Sequence, residues 1–307
     1  MQLCLPGKEG ALTIYPCSYT FFDTNRRNKI GMKFGLALPY NEVRSVARWA
    51  RLAEEAGWDG CFLGDAIWCE DPMIGLAAAA VVTSRIRLGT MIIPVPLRRP
   101  WKIASESVAL DRLSNGRLTL GIGAGAVWMG WHAFPDEVTD TKARAAMLDE
   151  TIDILTQLYQ SKPFDYNGQH YHLKLTELDE MHYPPKPVQQ PRIPLWVPGL
   201  WPRKKSMQRV LKCDGLLVEK LDENGRPATA TPDDVREMKA FVEANRSLTT
   251  PFDIVINGSV KDLEATQQKE TLLAWQAAGV TWWIEGLWDG TDETVVEVIR
   301  RAPPQLV

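Results

Sequence analysis

Long apolar runs are missing from this chain. The longest extends from Ile74 to Val82, far short of the roughly 20 residues that a membrane-spanning helix needs, so no helical span is expected. Cysteine is sparse: Cys4, Cys17, Cys61, Cys69 and Cys213 are scattered and odd in number, with no CxxC pair and no Cys/His cluster. A disulfide framework and a zinc centre both need such pairing, so the chain reads as cytoplasmic, with no metal. Excess charge is also missing. The 35 Lys and Arg against 38 Asp and Glu leave a net charge of −3, which removes the electrostatic case for nucleic acid or an anionic membrane surface. Internal repeats, low-complexity tracts and a dinucleotide-binding glycine fingerprint are absent too.

What is present is apolar material in quantity. Of 307 residues 45% are hydrophobic and 12 are tryptophan. A barrel of roughly 250 residues forms one domain at this size. Residues 1–31 stand apart, with weak periodicity and no secretory pattern. Arg26-Arg27 lie just ahead of Met32, and two AGG codons there would form a ribosome-binding sequence. Residues 1–31 are therefore expected to be a non-native or disordered extension, with residues 32–307 as the single domain. An intact mass of the native protein that includes Met1 overturns this expectation.

From Met32 onward, strand-like and helix-like segments alternate. Apolar runs of strand length fall at Lys33–Pro39, Asp59–Asp65, Arg85–Pro94, Arg117–Gly125, Ile193–Val197, Asp214–Glu219, Phe252–Ile256 and Val280–Glu285. Helical spacing follows each of them. The first helix has Asn41 as its cap and Gly57 as its stop, and the second opens on Asp71-Pro72. Residues 162–188 break the rhythm with prolines, aromatics and an Asn167-Gly168 turn, so they read as an insertion after helix four. Eight alternating units predict a parallel sheet closed into a (β/α)8 barrel.

Such barrels place chemistry at the C-terminal strand ends. Those positions are aromatic, rich in glycine and sparsely charged, which suits a flat, partly apolar ring. Gly121-x-Gly123-x-Gly125 closes strand four; small residues there either admit a planar ligand or a phosphate, or relieve crowding at the rim. Gly199, followed by Leu200 and Trp201, precedes helix five, whose start could hold a phosphate near Arg203, Lys204 and Lys205, or whose basic first turn is simply solvated. Asp65 is the acid at the end of strand two, able to bond a ring N–H, position a loop, or serve structure alone. His132 lies in the loop after strand four, as an acid–base group at neutral pH or as a surface residue. Tyr40, Trp68, Trp128, Trp131, Trp201, Trp282 and Trp283 could wall a pocket or simply pack.

Several segments together resemble the luciferase-like flavin-dependent oxidoreductases, the superfamily of bacterial luciferase and of deazaflavin (F420)-dependent enzymes. They run from Ala53-Glu54-Glu55-Ala56-Gly57-Trp58-Asp59-Gly60 through Thr83-Ser84-Arg85-Ile86-Arg87-Leu88-Gly89-Thr90 to Asp111-Arg112-Leu113-Ser114-Asn115-Gly116-Arg117. Pro191-Arg192-Ile193-Pro194-Leu195-Trp196-Val197 and Cys213-Asp214-Gly215 continue the series. The resemblance implies a flavin ring across the barrel mouth, backed by a bulged third strand that often carries a non-prolyl cis peptide, here near Met91-Ile92. It implies a phosphate around Gly123, Ala124 and Gly125 and around Gly199, Leu200 and Trp201.

Two departures separate this chain from parts of that family. Where many relatives carry an acid and a histidine after strand two, this chain has Asp65-Ala66, and the acid of some F420 dehydrogenases falls at Ala126. Both count against a dehydrogenase mechanism that uses those groups, and less against a monooxygenase. The expectation is a reduced-FMN monooxygenase acting on a small organic substrate. A separate flavin reductase would serve it, with Asp65 and His132 as catalytic residues and Tyr40, Trp68, Trp128 and Trp283 about the substrate. An F420-dependent hydride-transfer enzyme and a non-catalytic flavin-binding protein are the alternatives. Pairing of two copies through barrel helices is a further expectation.

Overall fold

The computed structural model describes residues 31–40, 42–179, 182–183 and 185–306. The expected N-terminal extension, Gly31 apart, and the Asn41 cap lie outside them. The barrel is built from β1 (Lys33–Leu38), α1 (Val43–Ala56), β2 (Gly60–Leu63), α2 (Pro72–Val82), β3 (Arg87–Thr90), α3 (Pro100–Leu113), β4 (Leu118–Gly123) and α4 (Thr141–Leu158). It continues with β5 (Leu195–Trp201), α5 (Lys204–Val210), β6 (Gly215–Leu221), α6 (Pro232–Asn245), β7 (Asp253–Gly258), α7 (Ala265–Ala278), β8 (Trp282–Gly286) and α8 (Asp292–Arg300).

Each strand pairs in parallel with the next. β8 pairs back onto β1, with Trp282 beside Lys33 and Glu285 beside Leu36. The ring therefore closes, as the eight-unit rhythm predicts. Local chemistry sets the helix limits. Asp71 accepts the Met73 amide at 2.8 Å ahead of Pro72, Asp140 accepts that of Ala143 at 2.8 Å, and Thr231 with Asp234 forms a capping box. α1 stops at Gly57, whose φ of 92° is reached without strain only by glycine.

The insertion after α4 contains a two-stranded hairpin, Asp165–Asn167 against His172–Lys174. Its turn is fastened to the barrel by a buried carboxylate: Glu150 of α4 accepts the amides of Gln169 (2.8 Å), His170 (3.1 Å) and Tyr171 (3.0 Å).

Apolar side chains form two layers. Outside the strands, a large core lies against the helices. Inside the barrel, Phe62 stacks on Trp196 at 5.3 Å, and Trp282 meets both rings edge-on at 5.7 Å. Such aromatic pairs add about 0.5–1.5 kcal/mol each beyond the area they bury. Trp283, expected near a substrate, is instead buried in the outer layer, where its indole N–H donates to Glu285 Oε2 at 3.0 Å. Neighbouring strand residues face opposite sides, so when Trp282 fills the barrel interior Trp283 must face the helices. Neither can wall a pocket at the rim.

Candidate functional site

The strands open at their C-terminal ends into a cleft of about 550 Å³, within the roughly 300–1,000 Å³ range of small-molecule and cofactor sites. Its floor comes from an interruption in the third strand. β3 ends at Thr90, a cis peptide joins Met91 to Ile92, and pairing resumes at Ile93–Pro94 against Ile122–Gly123 of β4. The Met91 amide donates to the Leu63 carbonyl at 2.6 Å and the Thr90 hydroxyl to the Gly121 carbonyl at 2.8 Å, which fixes the bulge on both sides. Met91 and Ile92 thus rest on the inner aromatic layer and line the cleft. The cis bond stands where the resemblance placed it.

The bulge explains two glycines. A Cβ on Gly121 would collide with the Thr90 carbonyl, and one on Gly123 with the Ile92 side chain. Gly123 was expected to hold a ligand; its open side is filled by Ile92, so its role is to admit the bulge. Gly125 (φ 79°) makes room for the Trp131 ring. Ala124 and Gly125 do line the cleft, and their carbonyls accept Arg144 Nη1 at 2.8 and 2.7 Å. Arg144, on α4 with its guanidinium carbon 5.6 Å from the centre of the Trp131 ring, carries no sequence mark that separates it from other helical arginines. Burial holds its pKa below the ordinary value.

The expected phosphate site at the fifth unit is not formed by the residues named for it. The open side of Gly199 packs on Leu216, Met207 and Val210. Trp201 meets Phe241 of α6 at 6.2 Å. The Leu200 amide is already bonded to Ser206 Oγ at 3.0 Å and the Arg203 amide to the Leu200 carbonyl at 2.7 Å. Arg203, Lys204 and Lys205 are exposed. Leu200 and Ser206 remain part of the cleft wall.

Asp65 is in the cleft, with its side chain 6% exposed. It is committed to Arg98, whose Nε lies 3.0 Å and Nη2 2.9 Å from Oδ2. Arg98 also reaches Asp71 at 2.8 Å, tying the loop after β2 to the cap of α2. Burial raises the Asp65 carboxyl against the pull of Arg98, and Asp65 and Asp71 together raise Arg98 despite its own burial. Loop positioning is the role this geometry supports. Ala66 and Ala126 line the same cleft, so the two departures noted above fall inside the site.

Tyr40 and Trp128 reach the cleft and, with Trp68, frame a more open extension of about 650 Å³. These rings are 43%, 83% and 76% exposed. His132 is exposed, on a short turn whose neighbour Trp131 fills the wall instead. The structure does not bring it to the cleft. Glu219, in the C-terminal half of β6, does line the cleft. It is open to solvent through the mouth, yet enclosure by the barrel wall raises its carboxyl. Its strand position was legible, but its direction depended on the register of β6.

The family described as luciferase-like monooxygenase matches residues 26–278. The chain belongs to that family. Among relatives, it is 37% identical over 154 residues to a Mycobacterium tuberculosis protein named as a coenzyme F420-dependent oxidoreductase, covering 48% of this chain and 42% of that one. It is 31% identical over 127 residues to the oxygenase component of the flavin-dependent trigonelline monooxygenase of Acinetobacter baylyi, covering 41% and 33%. The match thus spans less than half the length of each of these relatives. The oxygenating constituent of a Pseudomonas putida diketocamphane monooxygenase, solved with FMN, shares the fold at a TM-score of 0.68 and 17% identity, covering 91% of this chain and 99% of that one. Among the described residues, no helix is long and apolar enough to cross a membrane and no group of three or more acidic, histidine or cysteine side chains could hold a metal ion.

Proposed function

We propose that this chain is the oxygenase of a two-component system that uses reduced FMN, supplied by a separate reductase, to oxygenate a small organic substrate. The observation that carries this reading is the cleft itself: an apolar rim site, floored by Met91 and Ile92 and lined by Ala66 and Ala126, the two positions where the resemblance implies acid–base groups in other members of the superfamily. The space suits a tricyclic ring, and the floor offers it a flat apolar surface. Met91 and Ile92 would back the ring, while Ala124, Gly125 and Leu200 would flank it. When bound, the flavin supplies the redox chemistry with oxygen.

The protein's own contribution is positioning and exclusion of water. Arg144 holds the carbonyls of Ala124 and Gly125, which keeps the loop after β4 in place beside the ring. Arg98 and Asp65 do the same for the loop after β2. Tyr40 and Trp128 stand at the mouth, where a bound substrate would cover the opening.

The test is oxygen uptake with chemically reduced FMN across a panel of ketones, thioethers and aromatic amines. Substrate-stimulated uptake with one oxygen atom found in the product supports the reading. Tight F420 binding together with no FMN binding replaces it with hydride transfer, the second reading, which the 37% identity to the F420-linked relative favours.

A further inference from the structure

Every charged side chain in the cleft has a partner except one. Asp65 is paired with Arg98 at 2.9 Å. Arg209 is paired with Asp149 at 2.6 Å. Arg144 is spent on the carbonyls of Ala124 and Gly125. Among the described residues, the Glu219 carboxylate makes no ion pair and no hydrogen bond, although it lines the same cleft.

Its direction follows from strand alternation. Leu217 belongs to the inner aromatic layer and Leu216 to the outer core. Side chains two residues apart share a face, so Glu219 follows Leu217 toward the barrel axis. Lys220 turns the other way and bonds Asp234 of α6 at 2.8 Å. The nearest cation along the chain is therefore withdrawn from Glu219. Pro198 and Leu200 of β5 beside it offer no side-chain donor, and Ser206 Oγ, also in the cleft wall, donates to the Pro198 carbonyl at 3.3 Å.

Glu219 is exposed at the cleft, so water solvates its carboxylate in the free protein. A neutral apolar ligand that fills the cleft strips this water and leaves the charge without a partner, which is costly. A ligand with a cationic nitrogen replaces the water by a charge-assisted hydrogen bond. We infer that Glu219 is a specificity-determining residue, and that the cleft takes small organic substrates bearing an ammonium or other protonated nitrogen. This rests on the reading of the cleft as the active site of a flavin-using oxygenase.

The probes are benzylammonium chloride and benzyl alcohol, close in shape and different in charge, titrated calorimetrically into the full chain. A charge-assisted bond predicts that the wild type binds the cation about ten-fold more tightly than the alcohol. Glu219→Gln should abolish the preference and leave benzyl alcohol within about two-fold, whereas Glu219→Asp should retain part of it. Glu219 has no protein partner to lose, and Glu219→Ala provides a second neutral variant should the amide fold poorly. Absence of a preference in the wild type, or its survival in both neutral variants, overturns the inference. FMN titrations on the same proteins separate the two readings. If chemically reduced FMN fails to bind but the preference stands, the oxygenase reading falls and the recognition role of Glu219 survives. If Glu219→Gln weakens FMN and leaves the cation preference intact, the residue serves the cofactor and the inference is wrong.

Discussion

At the N-terminal rim of the barrel, the Asp214 carboxylate lies between Arg192 at 2.9 Å and Arg246 at 3.4 Å and also accepts the Leu195 amide. At the C-terminal rim, Glu219 faces the cleft with no partner among the described residues. The contrast extends around both ends. Below, Arg117 donates to the carbonyls of Ser114, Ile86, Ala80 and Thr83, and Glu54 gathers the amides of Ser84 and Ile86. Above, the cleft is apolar, and its arginines are spent on the loop after β4 and on Asp149 of α4. One rim ties its buried charged groups to partners of its own and gains rigidity; the other leaves space and one unmatched charge for a ligand.

Four substitutions press on that contrast. The largest effect is expected from Asp214→Ala, which leaves two buried guanidinium groups uncompensated and should cost roughly 3–5 kcal/mol, read as a lowered denaturant midpoint. A small loss would mean that the lower rim is not the rigid end. Gly121→Ala comes next. Its Cβ meets the Thr90 carbonyl, so overpacking should cost roughly 1–3 kcal/mol and disturb the cleft floor, read as loss of flavin binding at temperatures where the fold persists. Unchanged flavin affinity would detach the bulge from the site.

Glu54→Gln should cost roughly 1 kcal/mol, as a weakened hydrogen-bonded cap, and should change the acid limb of stability. Burial raises this carboxyl, but the amides of Ile86, Arg85 and Ser84 outweigh it and hold the folded-state pKa below the ordinary 4.5. The stabilisation is then complete above the unfolded value and is lost as pH falls through the depressed folded one. Acid titration of the melting temperature should lose that component in Glu54→Gln; an unaltered profile would contradict the assignment. The smallest effect is expected from His132→Ala. This residue is exposed and off the cleft, so stability should hold within about 0.5 kcal/mol and turnover should be maintained. A collapse of turnover would restore its catalytic role.

The same contrast explains what could be read from the sequence. Much of the recognisable text, Glu54, Thr83 to Ile86, Ser114 to Arg117, Arg192 and Asp214, belongs to the lower rim, where polar groups answer one another locally. That text, with the strand–helix rhythm, made the closed barrel legible, and the Met91–Ile92 bulge with it. The site was less legible because direction, not identity, decides it. Trp283 and Trp282 differ by one residue and face opposite layers. Gly123 and Gly199 read as ligand cradles, yet their open sides are filled by Ile92 and by Leu216 with Met207. Arg144 stands in no motif and enters only once α4 is set, while Glu219 is legible as a strand-end position whose direction waits on the register of β6.

The most direct measurement is flavin titration, followed by fluorescence, of the wild type and of Ala126→Trp, a substitution in the loop that lines the cleft. Saturable, one-to-one binding of FMN to the wild type, sharply weakened by the indole, is the predicted result. Binding of FMN that is indifferent to the indole, or binding of neither FMN nor F420 by the wild type, would contradict a flavin ring seated over Met91 and Ile92.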